Sequence, residues 1–262
     1  MRAGDRATVG SPELLLHQRP ELTQPHTANV TRSPRHRRAP RPPLPARTVW
    51  PVTKARPRPA AFDAVVFDLG NVLVGWDPAG ALTHDYTPEQ IQEFFDAVDF
   101  PALNRRQDAG RPWAKARAEV AASAPHCAPY LDAYVTGFPR TLTGPIPGSA
   151  DIVRDVHRCG ARTLGLTNWS AELFEHAVPA APVIGELEQV LVSGEVGLVK
   201  PDPAIFTLAL DRFGLDPART VFIDDQPANT DAAARLGFST VTFTDSPALR
   251  AQLTRLGALP AD

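Results

Sequence analysis

Three carboxylates, a hydroxyl and a lysine occur where predicted strands and loops of this sequence end. Asp68 closes the apolar run 64–67 and is followed by Leu69-Gly70, so a buried strand is predicted to stop at this carboxylate. Thr167-Asn168 and Asp224-Asp225 close two later apolar runs. The carboxyl ends of parallel strands meet at one sheet edge, where open α/β sheets bind ligands. These side chains are therefore expected to converge there, although Asp68 taken alone could also cap the next segment.

Two further polar residues can join this edge from neighbouring segments. Lys200-Pro201-Asp202 stands just before a predicted helix, so Lys200 can reach in from a loop while Asp202 caps the helix. Asn229 follows the Asp224-Asp225 pair by about one helical turn. The sequence thus predicts one polar ligand site built from several separate segments.

The elements that must position this site follow from the apolar pattern after residue 145. Short β-branched runs alternate with stretches of helical spacing, which is typical of a parallel sheet with helices on both faces. The predicted fold class is α/β, a Rossmann-like parallel sheet. After the first strand, the further strands are predicted over 161–167, 190–192, 220–224 and 240–243, and the helices over 149–159, 171–177, 203–213, 228–236 and 247–256.

Residues 80–144 have a different character and predict a small helical bundle inserted between two strands. Thr87-Pro88-Glu89-Gln90 carries the signature of a capping box, which predicts a helix starting at Pro88. Two more helices are predicted over 112–124 and 129–138, and a turn over 75–78 precedes the bundle. The predicted domains are accordingly a core of residues 61–79 and 145–262 and the inserted bundle of residues 80–144.

Charge divides the chain into two parts. Residues 1–60 carry 12 Lys/Arg against 3 Asp/Glu and 11 of the 28 prolines, a composition that predicts a disordered extension. Such a basic tail can bind nucleic acid or anionic lipid nonspecifically, or have no role. Residues 61–262 carry 15 Lys/Arg against 26 Asp/Glu, which argues against a specific nucleic-acid surface there.

Cysteine content and hydropathy bear on the compartment. Cys127 and Cys159 are too few for a disulfide framework and fit a reducing cytosol. No apolar run approaches the roughly 20 residues that a membrane-spanning helix needs. A cytoplasmic protein without a membrane partner is predicted, either a monomer or a homodimer.

The ordered set Asp68, Thr167, Lys200 and Asp224-Asp225 resembles the four motifs of the haloacid dehalogenase superfamily of hydrolases. The resemblance covers about residues 62–257, with the inserted bundle in the place of the family's cap domain. The segment Phe67-Asp68-Leu69-Gly70-Asn71-Val72 is similar to a phosphatase subgroup that acts on sugar phosphates such as α-glucose 1-phosphate. Each motif is weak alone, but the order and spacing make the combination specific.

The resemblance implies a role for each matched residue. Asp68 would be the nucleophile that forms an aspartyl-phosphate, Lys200 would neutralise the transferring phosphoryl group, and Thr167, with Asn168 beside it, would bind its oxygens. Because three carboxylates and one lysine sum to −2, a divalent cation is needed before a phosphate dianion can enter, and oxygen ligands suit Mg²⁺. The implied Mg²⁺ ligands and their support are Asp68, the Gly70 carbonyl, Asp224 and Asp225, with Asn229 orienting the last two.

Gly70 departs from the family pattern. Phosphatases of this superfamily usually carry a second aspartate at this position, as general acid and then base, and its loss typically costs on the order of 10²–10⁴ in rate. A sugar 1-phosphate has a comparatively acidic anomeric leaving group and needs that proton less. Asp77 is a candidate replacement acid, and the alternative is that it serves only as a turn residue before Pro78.

The main prediction is therefore a Mg²⁺-dependent phosphohydrolase of a small phosphorylated metabolite. A 2-haloacid dehalogenase is the alternative within the fold, because it needs neither metal nor second aspartate, and a non-catalytic binding protein is the alternative from another class. Trp76 and Trp169 are candidates for the pocket wall or for packing. Arg105 and Arg106 are candidates for substrate contacts or for a solvated helix face.

Overall fold

The computed structural model describes residues 61–260, and the extension predicted for residues 1–60 lies outside this range. Five parallel strands form the central sheet in the order β5-β4-β1-β6-β7. The α/β class predicted from the apolar runs is confirmed. These strands are β1 Ala64–Phe67, β4 Arg162–Thr167, β5 Gln189–Val192, β6 Thr220–Asp224 and β7 Ser239–Thr242.

Helices cover both faces of the sheet because the strands are apolar on both sides. Ala64 and Val66 of β1 pack into one core cluster, together with the first group of helices. Val65 and Phe67 face the opposite way into the second cluster. The first group is α8 Pro203–Phe213 and α9 Pro227–Arg235, and the second is α5 Ser149–Arg158 and α10 Ser246–Leu256, while the short α6 Ala177–Ala180 and α7 Ser193–Val196 follow β4 and β5.

A two-stranded antiparallel ribbon carries the helical insertion. Its strands are β2 Val74–Trp76 and β3 Leu142–Pro145. The turn predicted over 75–78 is therefore wrong at Gly75 and Trp76, because these residues pair with β3, a partner almost 70 residues away that the local sequence does not reveal. Asp77 follows the ribbon and caps a 3₁₀ turn by accepting a hydrogen bond from the Ala79 N–H at 3.0 Å.

The helical insertion, residues 88–137, has four helices where three were predicted. The capping box at Thr87 and Gln90 is present and starts the first helix as expected. The helix that was missed begins after Asp99, whose φ of +46° breaks the helical periodicity. The four are α1 Pro88–Ala97, α2 Phe100–Asp108, α3 Trp113–Ser123 and α4 Ala128–Gly137.

The predicted helix over 171–177 is instead a 3₁₀ helix, Ala171–His176, that leads into α6. Other element boundaries differ from the predictions by one or two residues, as expected for helix ends. None of the helices within residues 61–260 combines the length and apolar character required to cross a bilayer.

Gly110 and Gly160 are exposed glycines with nearly equal φ angles. Replacing each of them by alanine tests how closely the helical insertion approaches the core. Gly110 has φ +87° and a Cβ there would lie 2.9 Å from the Gly194 carbonyl oxygen, whereas Gly160 has φ +89° and open space. We expect Gly160→Ala to cost about 1–2 kcal/mol from the left-handed backbone alone. Gly110→Ala should lose clearly more, because the Gly194 backbone must also move. Urea unfolding of both variants measures this difference, and equal losses would contradict the close approach.

Candidate active site

Asp68 is held at the carboxyl end of β1 by a hydrogen bond of its backbone and by contacts of both carboxylate oxygens. Its N–H donates to the Ile223 carbonyl of β6 at 2.8 Å, and its Oδ1 accepts from the Leu69 N–H at 2.7 Å. Its Oδ2 lies 2.9 Å from Lys200 Nζ. The residue is only 7% exposed, so the carboxylate is largely shielded from water.

Asp224 ends β6 next to Asp68 and is fully buried. Its Oδ1 accepts hydrogen bonds from the Gln226 N–H and from Asn229 Nδ2, both at 2.9 Å. Its Oδ2 accepts from Lys200 Nζ at 2.6 Å. Asn229, in the first turn of α9, thus orients this carboxylate in the geometry that the sequence predicted for it.

Lys200 binds both aspartates from the loop between α7 and α8. Its ammonium has three N–H groups, and Nζ contacts three acceptors: Asp68, Asp224 and, at 3.0 Å, the Leu166 carbonyl of β4. The side chain is 1% exposed. Because all three donors are engaged inside the protein, the lysine joins the ends of three neighbouring strands.

Asn168 fixes the loop that carries Lys200. Its Oδ1 accepts from the Lys200 N–H at 2.8 Å, and its Nδ2 donates to the Lys200 carbonyl at 3.0 Å. The amide is therefore engaged in positioning the lysine backbone. It also borders the active-site cavity, so its predicted contact with substrate stays a prediction.

Burial and the neighbouring charges together determine the pKa values of Asp68 and Lys200. Burial raises the pKa of Asp68 to about 8, with Lys200 opposing this rise and Asp224 and Asp225 adding to it. Burial alone would lower the pKa of Lys200, but the two aspartates it contacts outweigh this effect and the pKa is raised. The lysine is therefore charged at neutral pH, and the raised pKa of Asp68 indicates that one ammonium does not compensate the charge of the surrounding carboxylates.

The three carboxylates fit a divalent cation. Oxygen atoms of Asp68, Asp224 and Asp225 all lie within 4.8 Å of one another. The Gly70 carbonyl borders the same space and accepts no hydrogen bond from residues 61–260. An all-oxygen set with two or three carboxylates is the donor type that Mg²⁺ prefers. Asp225 is oriented by Gln226 Nε2 at 2.8 Å and by Asn71 Nδ2 at 3.4 Å.

A cavity of about 210 Å³ opens above these groups. Thr167 reaches it from the end of β4, and both Trp76 and Trp169 border it, in the positions expected for wall residues. Most of the remaining wall comes from the helical insertion and from the loop after β4. These residues are Asn104, Asp108, Trp113, Phe138, Ser170 and Leu173.

Among the cavity residues that the sequence analysis missed, Asp108 is a carboxylic acid. It lies in the last turn of α2, accepts a hydrogen bond from Asn104 Nδ2 at 3.0 Å, and is half-buried. Burial raises the pKa of its carboxyl to about 7, with the Ser170 backbone, Arg105 and Lys200 opposing the rise. The sequence signal that could have identified Asp108 is its position four residues after Asn104 on a helix with an apolar face. That helix, α2, was not predicted.

The other candidates from the sequence lie away from the cavity. The exposed Asp77 caps its 3₁₀ turn and is not among the residues that border the cavity, which favours its predicted role as a turn residue. Arg106 pairs with Glu119 on the surface. Arg105 borders a larger groove that adjoins the cavity between α1, α2 and Trp76.

Comparison with known proteins gives three relevant similarities. A family model described as a haloacid dehalogenase-like hydrolase matches residues 62–237. A phosphoserine phosphatase of Thermus thermophilus is 31% identical over 38% of this chain and 40% of its own length. The (S)-2-haloacid dehalogenase 4A of Burkholderia cepacia is 27% identical over 36% of this chain and 41% of its own length. The chain thus spans about two fifths of these curated relatives.

A solved structure shares the fold. A haloacid dehalogenase family enzyme of Bacteroides thetaiotaomicron, in complex with magnesium and inorganic phosphate, superposes with a TM-score of 0.56. The match is 21% identical and covers 70% of this chain and 95% of that one. At this identity the similarity concerns the fold alone.

Removing the buried ammonium tests its structural importance. Lys200→Met should destabilise the protein by about 3–5 kcal/mol, because Asp68 and Asp224 would stay buried without their common partner. The matched control is Lys115→Met, since Lys115 is an exposed lysine of α3 and its replacement should change stability by less than about 0.5 kcal/mol. Urea unfolding at neutral pH measures both, and equal stabilities would contradict the role of Lys200.

Proposed function

The chain belongs to the haloacid dehalogenase-like hydrolase family, and on that premise we propose that it is a Mg²⁺-dependent phosphohydrolase of a small phosphorylated metabolite. The observation that carries this proposal is the convergence of three carboxylates, Asp68, Asp224 and Asp225, around one buried lysine. Their surplus negative charge requires a cation before an anionic ester can approach. Mg²⁺ in complex with phosphate, as in the Bacteroides thetaiotaomicron structure, would meet this need.

Asp68 would act as the nucleophile. Attack of one of its carboxylate oxygens on phosphorus would break the ester bond, release the alcohol and leave an aspartyl-phosphate, which water then hydrolyses. The hydrogen bond from the Leu69 N–H and the contact with Lys200 hold the carboxylate in one orientation for this attack. This rigidity reduces the entropy that must be lost in reaching the transition state.

Lys200 and Thr167 would bind the phosphoryl group. The Lys200 ammonium lies beside Asp68 and would offset the charge of the transferring oxygens, and the Thr167 hydroxyl, at the end of the neighbouring strand, would donate to one of them. The cation would be held by Asp68, Gly70, Asp224 and Asp225. Bound there, Mg²⁺ would neutralise the repulsion between these carboxylates and a phosphate dianion.

The cavity favours a small polar substrate. Its volume of about 210 Å³ leaves room for a phosphate and a compact leaving group, and the adjoining groove gives space for a somewhat longer one. Trp76, Trp113 and Asn104 all border the cavity, and a wall of aromatic and amide side chains suits a sugar ring. A sugar phosphate is therefore the proposed substrate class, with an anomeric phosphate favoured by the lack of an acid at Gly70.

A 2-haloacid dehalogenase is the second candidate. Gly70 favours it, and a dehalogenase is among the relatives. The paired Asp224 and Asp225 argue against it, because attack on carbon by Asp68 needs no cation and a halocarboxylate would be repelled by the surplus charge. The phosphatase proposal therefore accounts for more of the site.

The first test is phosphate release from a panel of sugar phosphates and p-nitrophenyl phosphate, with Mg²⁺ and with EDTA. We expect turnover that requires Mg²⁺ and that Asp68→Asn lowers by at least about 10³-fold, since the variant lacks the nucleophile. Asp77→Asn is the matched control, because asparagine also caps helices and the residue lies outside the cavity wall; its activity should stay unchanged.

Three outcomes would contradict the proposal. Phosphate release that persists in EDTA would exclude the cation role of the three carboxylates. No phosphate release from any ester, together with chloride release from 2-chloropropionate, would establish the dehalogenase instead. A protein that turns over neither class would fit the non-catalytic alternative.

A further inference from the structure

We propose that Asp108, supplied by the helical insertion, is the general acid and base of the reaction and takes over the task for which Gly70 has no side chain. This inference rests on the proposed phosphohydrolase function and adds the residue that moves the proton. Neither the motif pattern nor the relatives assign a role to this residue. The argument has three parts: the space above Gly70, the location of Asp108, and the way in which its helix is fixed.

The space above Gly70 is open. A Cβ built on this glycine would meet no other atom within 4 Å, and no positive φ requires glycine there. The glycine is therefore not explained by backbone strain or by a close approach. Its effect is to leave the region beside Asp68 without the carboxyl that other phosphatases of the superfamily place there, so the proton must come from another wall of the cavity.

Asp108 stands in that other wall. Asp108 and Asp68 border the same cavity, one from α2 and one from the end of β1. Asp108 also borders the adjoining groove, so the residue lies at the junction of the two spaces, where the leaving group of a bound ester would be. Within residues 61–260, Asp108 is the carboxyl of the helical insertion that borders the cavity.

The end of α2 is bonded to the core at Asp108, and the start of α3 is bonded to the core at Trp113. The Ser193 hydroxyl donates to the Asp108 carbonyl at 2.6 Å and accepts from the Trp169 N–H at 2.9 Å. Trp113, at the start of α3, donates through Nε1 to the Ser170 hydroxyl at 3.0 Å. We call this set of contacts the corner latch. It fastens the backbone of Asp108 to the core beside the site.

The environment of Asp108 suits a group that both donates and accepts a proton near neutral pH. Burial raises the pKa to about 7, so both forms are populated at pH 7. The charged or titratable groups that face it are Arg105 of its own helix, Lys200 of the core loop and the Tyr134 hydroxyl of α4. Asn104 donates to Oδ2 at 3.0 Å and helps to orient the carboxyl group.

The proton balance closes over the two half-reactions. In the first, Asp68 attacks phosphorus, the bond from phosphorus to the leaving oxygen breaks, and protonated Asp108 gives its proton to that oxygen, releasing the alcohol. In the second, the Asp108 carboxylate takes a proton from water as the water oxygen attacks the aspartyl-phosphate. Free Asp68, inorganic phosphate and protonated Asp108 are regenerated, with no other reactant.

Two aryl phosphates of similar shape separate this role from a structural one. p-Nitrophenolate leaves without a proton at neutral pH, whereas phenolate, with a conjugate-acid pKa of about 10, needs one. With the full chain and Mg²⁺, Asp108→Asn should lower kcat/KM for phenyl phosphate by about 10²-fold or more and that for p-nitrophenyl phosphate by less than about 10-fold. It should also give a burst of p-nitrophenolate, one per enzyme, before slow steady-state turnover.

The pH profile gives a second readout with a defined sign. For phenyl phosphate, wild-type kcat/KM should fall as pH rises through about 7, because the acid form of Asp108 is lost. Asp108→Asn should not show this decline, and Asp108→Glu should recover part of the phenyl phosphate activity. Asp211→Asn is the matched control: Asp211 is an exposed carboxylate of α8 that borders neither the cavity nor the groove, and both substrates should be unaffected.

The possible results separate a failure of the acid–base role of Asp108 from a failure of the proposed phosphohydrolase function. Equal loss on both substrates in a folded Asp108→Asn variant, or no loss on either, would overturn the acid–base role while leaving the phosphohydrolase function intact. Absence of turnover of both esters by the wild-type protein with Mg²⁺ would instead overturn the proposed function itself. Near-ultraviolet circular dichroism and thermal unfolding establish that the variant is folded.

Discussion

The shared contact of Lys200 with Asp68 and Asp224 is the interaction on which the rest of the site depends. A carboxylate buried alone would be costly, and each of the two aspartates is buried among apolar strands. The lysine reduces this cost and, through its bond to the Leu166 carbonyl, joins β1, β4 and β6 at their carboxyl ends. Stability and chemistry therefore rely on the same ammonium group. This also explains why the loop that carries it is held so closely by Asn168.

The central sheet was predictable because its strands are buried on both faces. Their apolar runs end abruptly at polar residues, so Asp68, Thr167 and Asp224 could be assigned to one edge from the sequence alone. Asn229 was predictable for a similar local reason, since one turn of helix returns it to Asp224. Where the ends of neighbouring strands determine the geometry of a site, the spacing of its residues along the chain is enough to predict that they come together.

Other features depend on contacts between distant segments, and the sequence did not reveal them. The pairing of Trp76 with β3 depends on a strand beyond the whole helical insertion. Helix α2 was missed because Asp99 adopts a left-handed backbone and interrupts the periodicity that otherwise continues from α1. With α2 missing, Asp108 could not be placed. The two hydrogen bonds between the Asn168 side chain and the Lys200 backbone were not predictable from local sequence either, because they join residues 32 positions apart.

The corner latch bears on how molecules enter and leave. Gly110 passes so close to the Gly194 carbonyl that a side chain would not fit, and Ser193 and Trp113 bond across the same boundary. The junction of α2 and α3 is therefore fixed to the core, and α1 lies beside the groove bordered by Gln92 and Arg105. A molecule that reaches the cavity through this groove would pass α1 first and the fixed junction last.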